Sequence, residues 1–88
     1  MVRKSRSGSP KISPREAAEH AQVYLLQLVD GLANVTIEEV ELDDDGRYWY
    51  ITLGFNAPDA FSISRRHYKQ FKVDAKTGEV RRMVIRSM

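Results

Sequence analysis

Two histidines and no cysteine bound the chemistry open to this 88-residue chain. A nucleophile needs a general base within hydrogen-bonding reach, and His20 and His67 are the only imidazoles present. Glu16 and His20 stand four residues apart, the spacing of neighbours on one helix face, which suits a surface contact better than a metal site. His67 follows Arg65 and Arg66 in a strand-like stretch and reads as a strand residue. Glu41, Asp43, Asp45 and Gly46 share the opening spacing of a calcium-binding loop. The last ligand position of that loop would fall on Thr52, where a bidentate Glu is needed. The acidic run is therefore read as a charged turn. Without cysteine, disulfides and thiolate metal sites are excluded. No catalytic residue, metal or cofactor is expected, and an enzymatic reading would need a partner to supply the chemistry.

Binding chemistry is better represented. Arg65, Arg66, Lys69, Lys72, Arg81, Arg82 and Arg86 spread along the last two strand-like stretches. Tyr48, Tyr50 and Tyr68 lie within reach of them in an antiparallel sheet. Cations interleaved with aromatic faces can hold phosphates and stack bases. Charge on edge strands that prevents aggregation accounts for the same residues. The net charge of +2 hides a segregation: residues 16–59 hold ten of the twelve acidic side chains, and residues 60–88 hold eight of the fourteen basic ones. Such a surface suits an acidic partner, nucleic acid or head-to-tail self-association. If the two zones meet in the fold, they neutralise each other instead.

The elements that position these residues follow from local pattern. Residues 1–12 are rich in Ser, Arg and Lys and read as a disordered basic tail. Ser13 opens a helix, with Pro14 at its first position and Glu16 completing a capping box. Ala17, Ala21, Tyr24, Leu25, Leu28 and Leu32 recur at helical spacing, Ala18 and Val29 widen the stripe, and Gly31 ends it. Val35 to Leu42 forms a first strand. Its apolar parity switches at Glu38-Glu39, which predicts a bulge. Arg47 to Phe55 forms a second strand with Trp49, Ile51, Leu53 and Phe55 facing the helix and Tyr48, Tyr50 and Thr52 facing away. Asn56 to Ser64 reads as a loop, with Ala60, Phe61 and Ile63 as its apolar members. Arg65 to Val73 and Val80 to Arg86 complete the set. The expected fold is α+β, in the order α-β-β-β-β. One N-terminal helix lies on one face of an antiparallel sheet of three to four strands.

The last two strands meet at Asp74-Ala75-Lys76-Thr77-Gly78-Glu79. Asp74 can accept the amides of this turn, and Gly78 can take a positive φ. With Asp74 opposite Glu79, Val73 faces Val80 and Phe71 faces Arg82. Tyr68, Met83 and Ile85 then share the face away from the helix with Lys72 and Arg81. Tyr48 and Tyr50 join them, and Phe61 lies nearby, so one aromatic and aliphatic patch with a basic rim is expected. A slip of one residue would exchange the faces.

The Val73-Asp74-Ala75-Lys76-Thr77-Gly78-Glu79-Val80 hairpin resembles the end of a PepSY domain. The helix rich in Ala, the strand around Val40-Glu41-Leu42, the acidic Gly turn and the aromatic strand ahead of it agree in order, over roughly residues 13–86. Those domains occur in the propeptides of thermolysin-type peptidases and in stand-alone bacterial proteins. The resemblance implies a single domain over residues 13–88 and, in a bacterial setting, contact with or regulation of a peptidase. The matched residues are turn and core positions, so none is carried over as an inhibitory site.

A chain of this length forms one small domain that is marginally stable alone. The absence of a membrane-length apolar run, or of an apolar run after the basic N-terminus, predicts a cytoplasmic protein; export of a processed form stays open. The leading expectation is a non-enzymatic domain. It would bind a protein partner, or itself as a dimer, through Tyr48, Tyr50, Phe61, Tyr68, Met83 and Ile85. The second is polyanion or nucleic-acid binding through the tail and Arg65, Arg66, Lys69, Lys72, Arg81 and Arg82.

Overall fold

A computed structural model describes residues 10–58, 61 and 63–85. The basic tail before Pro10, Ala60 and Arg86 lie outside these residues. Helix α1 spans Pro14–Leu28 and is followed by strands β1 (Ala33–Leu42), β2 (Tyr48–Pro58), β3 (Ser64–Asp74) and β4 (Val80–Ile85). The strands form one antiparallel sheet in the order β1-β2-β3-β4. This is the α+β arrangement expected from the sequence.

The capping box forms as its residues require. Ser13 Oγ accepts from the Glu16 amide at 3.1 Å, and Glu16 Oε1 accepts from the Ser13 amide at 2.7 Å. The helix ends at Leu28, slightly earlier than Gly31 suggests. Val29 is its extended C-cap, and Gly31 takes its positive φ of 70° in the following bend. Ala17, Ala18, Ala21 and Leu25 are buried against Trp49, Ile51, Leu53, Phe55, Phe71 and Val73. Small side chains in the first turns let the helix approach the sheet, and Leu25 and Tyr24 fill the space further along. Tyr24 meets Phe71 edge to face at 6.1 Å. Before the helix, the Lys11 and Ile12 amides donate to the Ala75 carbonyl, and Trp49 Nε1 donates to the Ile12 carbonyl.

Two features of the sheet settle which side chains share a face. On β1, a register shift between Ile37 and Glu39 absorbs Glu38. The predicted bulge is present, and it turns Ile37, Val40 and Leu42 to the helix side despite their change of parity. On β4, another shift lies between the Lys72–Arg82 and Val73–Val80 pairs, with Arg81 as the extra residue. Val73 faces Val80 as expected, but Phe71 faces Met83 rather than Arg82.

β2 runs further than the sequence suggests. Asn56, Ala57 and Pro58 pair with Arg66, Arg65 and Ser64. Pro58 has no N–H to give, which a strand end tolerates, and Ala57 is buried. The expected Asn56–Ser64 loop is therefore cut back at both ends, since β2 runs to Pro58 and β3 begins at Ser64. Phe61 is 82% exposed, so it does not fold back on the core.

Size explains what the helix covers. Fifteen helical residues reach about 22 Å, whereas an eleven-residue strand reaches about 36 Å. Across the sheet, three strand intervals amount to about 14 Å, wider than a helix body of about 10 Å. One helix leaves both an end and a margin of the apolar face uncovered. Among the described residues, no helix is long and apolar enough to cross a membrane.

Candidate interaction surface

The face away from the helix is crossed by rows of paired residues. One row runs Glu41, Tyr50, Lys72, Arg82, and the next Glu39, Thr52, Gln70, Val84. Charge passes from acid on β1 to base on β4. The segregation seen along the sequence is thus a gradient across the sheet.

This face is closed by polar contacts. Thr52 is fully buried and donates to Glu39 Oε1 at 3.3 Å. The Lys72 ammonium sits 4.2 Å from the centre of the Tyr48 ring, and Arg66 lies over Tyr68 at 5.8 Å. Cations over aromatic faces are attracted by the ring quadrupole. Arg66 also spans the sheet: it donates to the Asn34 carbonyl at 2.6 Å, to Asn56 Oδ1 at 2.8 Å and to Thr36 Oγ1, and it pairs with Glu38 at 3.6 Å. Gly54 makes the crossing possible. A Cβ there would lie 2.8 Å from Arg66 Nη2 and 3.0 Å from both Glu38 Oε2 and Tyr68 Cε1.

The expected partner-binding patch is not assembled. Tyr48, Tyr50 and Tyr68 do share this face and are half-buried. Met83 and Ile85 do not, because the bulge at Arg81 turns them to the helix side opposite Phe71 and Lys69. Met83 packs on the core, and Ile85 is 79% exposed past the helix. Phe61 lies between β2 and β3 and is exposed.

The basic residues also divide. Arg66, Lys72 and Arg82 lie on the tyrosine face, whereas Arg65 and Lys69 pair with Ala57 and Leu53 on the other. Arg81, in the bulge, is held by Asp74 at 3.3 Å and Glu79 at 3.6 Å.

The turns account for the remaining candidates. Asp43 Oδ1 accepts from the Arg47 amide at 2.8 Å, and Gly46 closes the turn with a φ of 70°. Asp74 Oδ1 accepts from the Lys76 and Thr77 amides at 2.8 and 3.1 Å, and Gly78 takes a φ of 80°, as its turn requires. The Lys76 amide in particular, with the Thr77 amide and the Arg81 guanidinium, holds the Asp74 carboxyl below its ordinary value. His20 packs against Gly78, where an added Cβ would overlap its ring. Phe55 stacks on His67 at 5.6 Å. Both histidines therefore have packing roles. Among the described residues, no group of three or more His, Asp or Glu is placed to hold a metal.

Sequence reasoning passed over the helix side of β1. Ile37 is 50% and Val40 39% exposed. With Pro14, Arg15, Ala18, Glu19 and Gln22 of α1 they line an open groove of about 370 Å³. Leu26 continues the Ala18–Gln22 stripe at four-residue spacing and is exposed. The signal was the strand order: in a meander β1 is an edge, and a single helix cannot roof both edges. Comparison with family models, curated proteins and solved structures returned no match.

Proposed function

We propose that this chain is a small non-enzymatic domain that binds other proteins along the margin of the sheet that α1 leaves uncovered. The observation that carries this reading is the groove between α1 and β1, where Ile37 and Val40 stay in solvent although their strand neighbours Leu53 and Ile51 are buried. Contiguous exposed apolar surface of this kind marks interaction sites. The hairpin resemblance to PepSY domains makes a bacterial peptidase the first partner to try and its regulation the activity to assay. Self-association is the simplest alternative form of the same binding.

Capture with the whole chain as bait tests this reading. Wild type is compared with an Ile37→Lys, Val40→Lys double variant and with Tyr50→Ala. Loss of the captured proteins from the double variant alone is the expected result. Identical capture by all three baits, or none by any, would overturn it.

One observation favours a second reading. Lys72 and Arg82 are direct cross-strand partners, and like charges placed opposite one another are destabilising. A polyanion bridging them beside Tyr50 would relieve that repulsion. Binding would then weaken steeply with salt and fail in an Arg82→Glu variant.

A further inference from the structure

We propose that the groove between α1 and β1 receives an extended segment of a partner protein that adds to the sheet as a fifth strand and alternates apolar with basic side chains. This rests on the protein-binding reading and specifies its mode.

β1 ends the sheet, and among the described residues no strand pairs with its outer side. An edge strand presents alternate N–H and C=O groups that can template another chain. The bulge at Glu38 interrupts the ladder, and the regular run is Glu39–Leu42. An added strand therefore pairs over a short stretch.

Side chains of an added strand alternate between the two faces. On the helix side they would enter the groove and cover Val40 and Ile37 beneath Ala18 and Gln22, which calls for apolar residues. On the other side they would extend the row that begins at Glu41, near the acidic Asp43–Asp45 turn, which calls for basic residues. Glu19 and Arg15 stand in the groove wall and offset each other, so the acidic sign of this edge comes from Glu41 and the Asp43–Asp45 turn.

The opposite edge does not offer this arrangement. There His20 packs on Gly78, Val80 and Met83 are half-buried against the core while Ile85 is exposed past the end of the helix, and the outermost residue of the charged row is Arg82. The two edges thus differ in sign and in the groove that only the β1 side forms with α1 among the described residues, and the acidic one fits a basic strand. A strand laid between a helix and a sheet edge takes affinity from main-chain hydrogen bonds and selectivity from its alternate side chains.

The test uses isotope-labelled full chain and three capped synthetic peptides. One alternates Val with Arg, one alternates Val with Glu, and one is the Val–Arg peptide N-methylated on every second amide. Nuclear magnetic resonance follows the amides of Glu39–Leu42 and the methyls of Ile37 and Val40. The proposal expects saturable shifts at β1 and at Ala18 and Gln22 with the Val–Arg peptide alone. Glu41→Lys should weaken that binding by roughly tenfold.

Absence of shifts, shifts confined to Tyr48 and Tyr50, or equal binding of the N-methylated peptide would overturn strand addition. Concentration-dependent β1 shifts without peptide would assign the edge to a second copy and overturn it too. If the peptide fails while the Ile37→Lys, Val40→Lys bait still loses its partners, the mode falls and the protein-binding reading stands. If both experiments fail, both readings fall.

Discussion

On the helix side of the sheet, the row Val40, Ile51, Phe71, Met83 runs apolar from one edge to the other. On the opposite side, the adjacent row Glu41, Tyr50, Lys72, Arg82 runs from acid to base. The same strands carry both rows, so local backbone preference is not what separates them. The apolar rows are the source of stability, because burial removes them from water at about 25 cal/mol per Å². The polar rows close their face with charge-assisted contacts of smaller net value. The apolar rows also extend past the helix that covers them. What lies beyond it, at Ile37 and Val40, belongs to the same apolar layer and stays exposed.

The faces should therefore respond to substitution by very different amounts. Phe71→Ala removes a fully buried ring that touches Tyr24. It should cost about 3–5 kcal/mol, enough to unfold a domain of this size in a denaturant titration. Gly54→Ala tests the polar face at its tightest point, where the new methyl must displace Arg66, Glu38 or Tyr68. A loss of about 1–3 kcal/mol is expected, with weaker protection of β1 amides against hydrogen exchange. Ser13→Ala removes the cap and should cost about 1 kcal/mol by the same titration. Tyr50→Ala, on the half-buried polar face, should cost less than Gly54→Ala. A Tyr50→Ala loss equal to that of Phe71→Ala would erase the distinction between faces.

Acid gives a further comparison. The Asp74 carboxyl lies below its ordinary value of 3.8 in the folded chain. The unfolded chain therefore binds the proton more tightly, and the contribution of Asp74 is present above that value. It is lost as pH falls from about 3.8 through the lower folded value. Asp74→Asn should flatten the pH dependence of stability in that range, measured by denaturation at a series of pH values.

Much of the fold was legible because local signals agreed. Ser13, Pro14 and Glu16 fixed the start of the helix, the alternation from Trp49 to Phe55 fixed the buried face of β2, and the parity switch at Glu38-Glu39 announced its bulge. The second bulge was not legible. Val80-Arg81-Arg82-Met83 alternates poorly in either register, and only pairing with Phe71 selects Met83 over Arg82. That single residue moved Met83 and Ile85 across the sheet and divided the expected patch. The extent of β2 was missed because Pro58 signals a loop, whereas at a strand end it costs no hydrogen bond. The groove was missed because helix width and sheet width are properties of the assembled layers.

Photo-crosslinking separates the groove from the tyrosine face as the binding surface. A photoreactive side chain is placed at Gln22, in the groove wall, or at Gln70, on the tyrosine face, and the whole chain is irradiated in a bacterial lysate. A discrete protein adduct is expected from position 22 that disappears in the Ile37→Lys, Val40→Lys background, and none from position 70. An adduct formed only from position 70 would contradict it and return the binding surface to the tyrosine face.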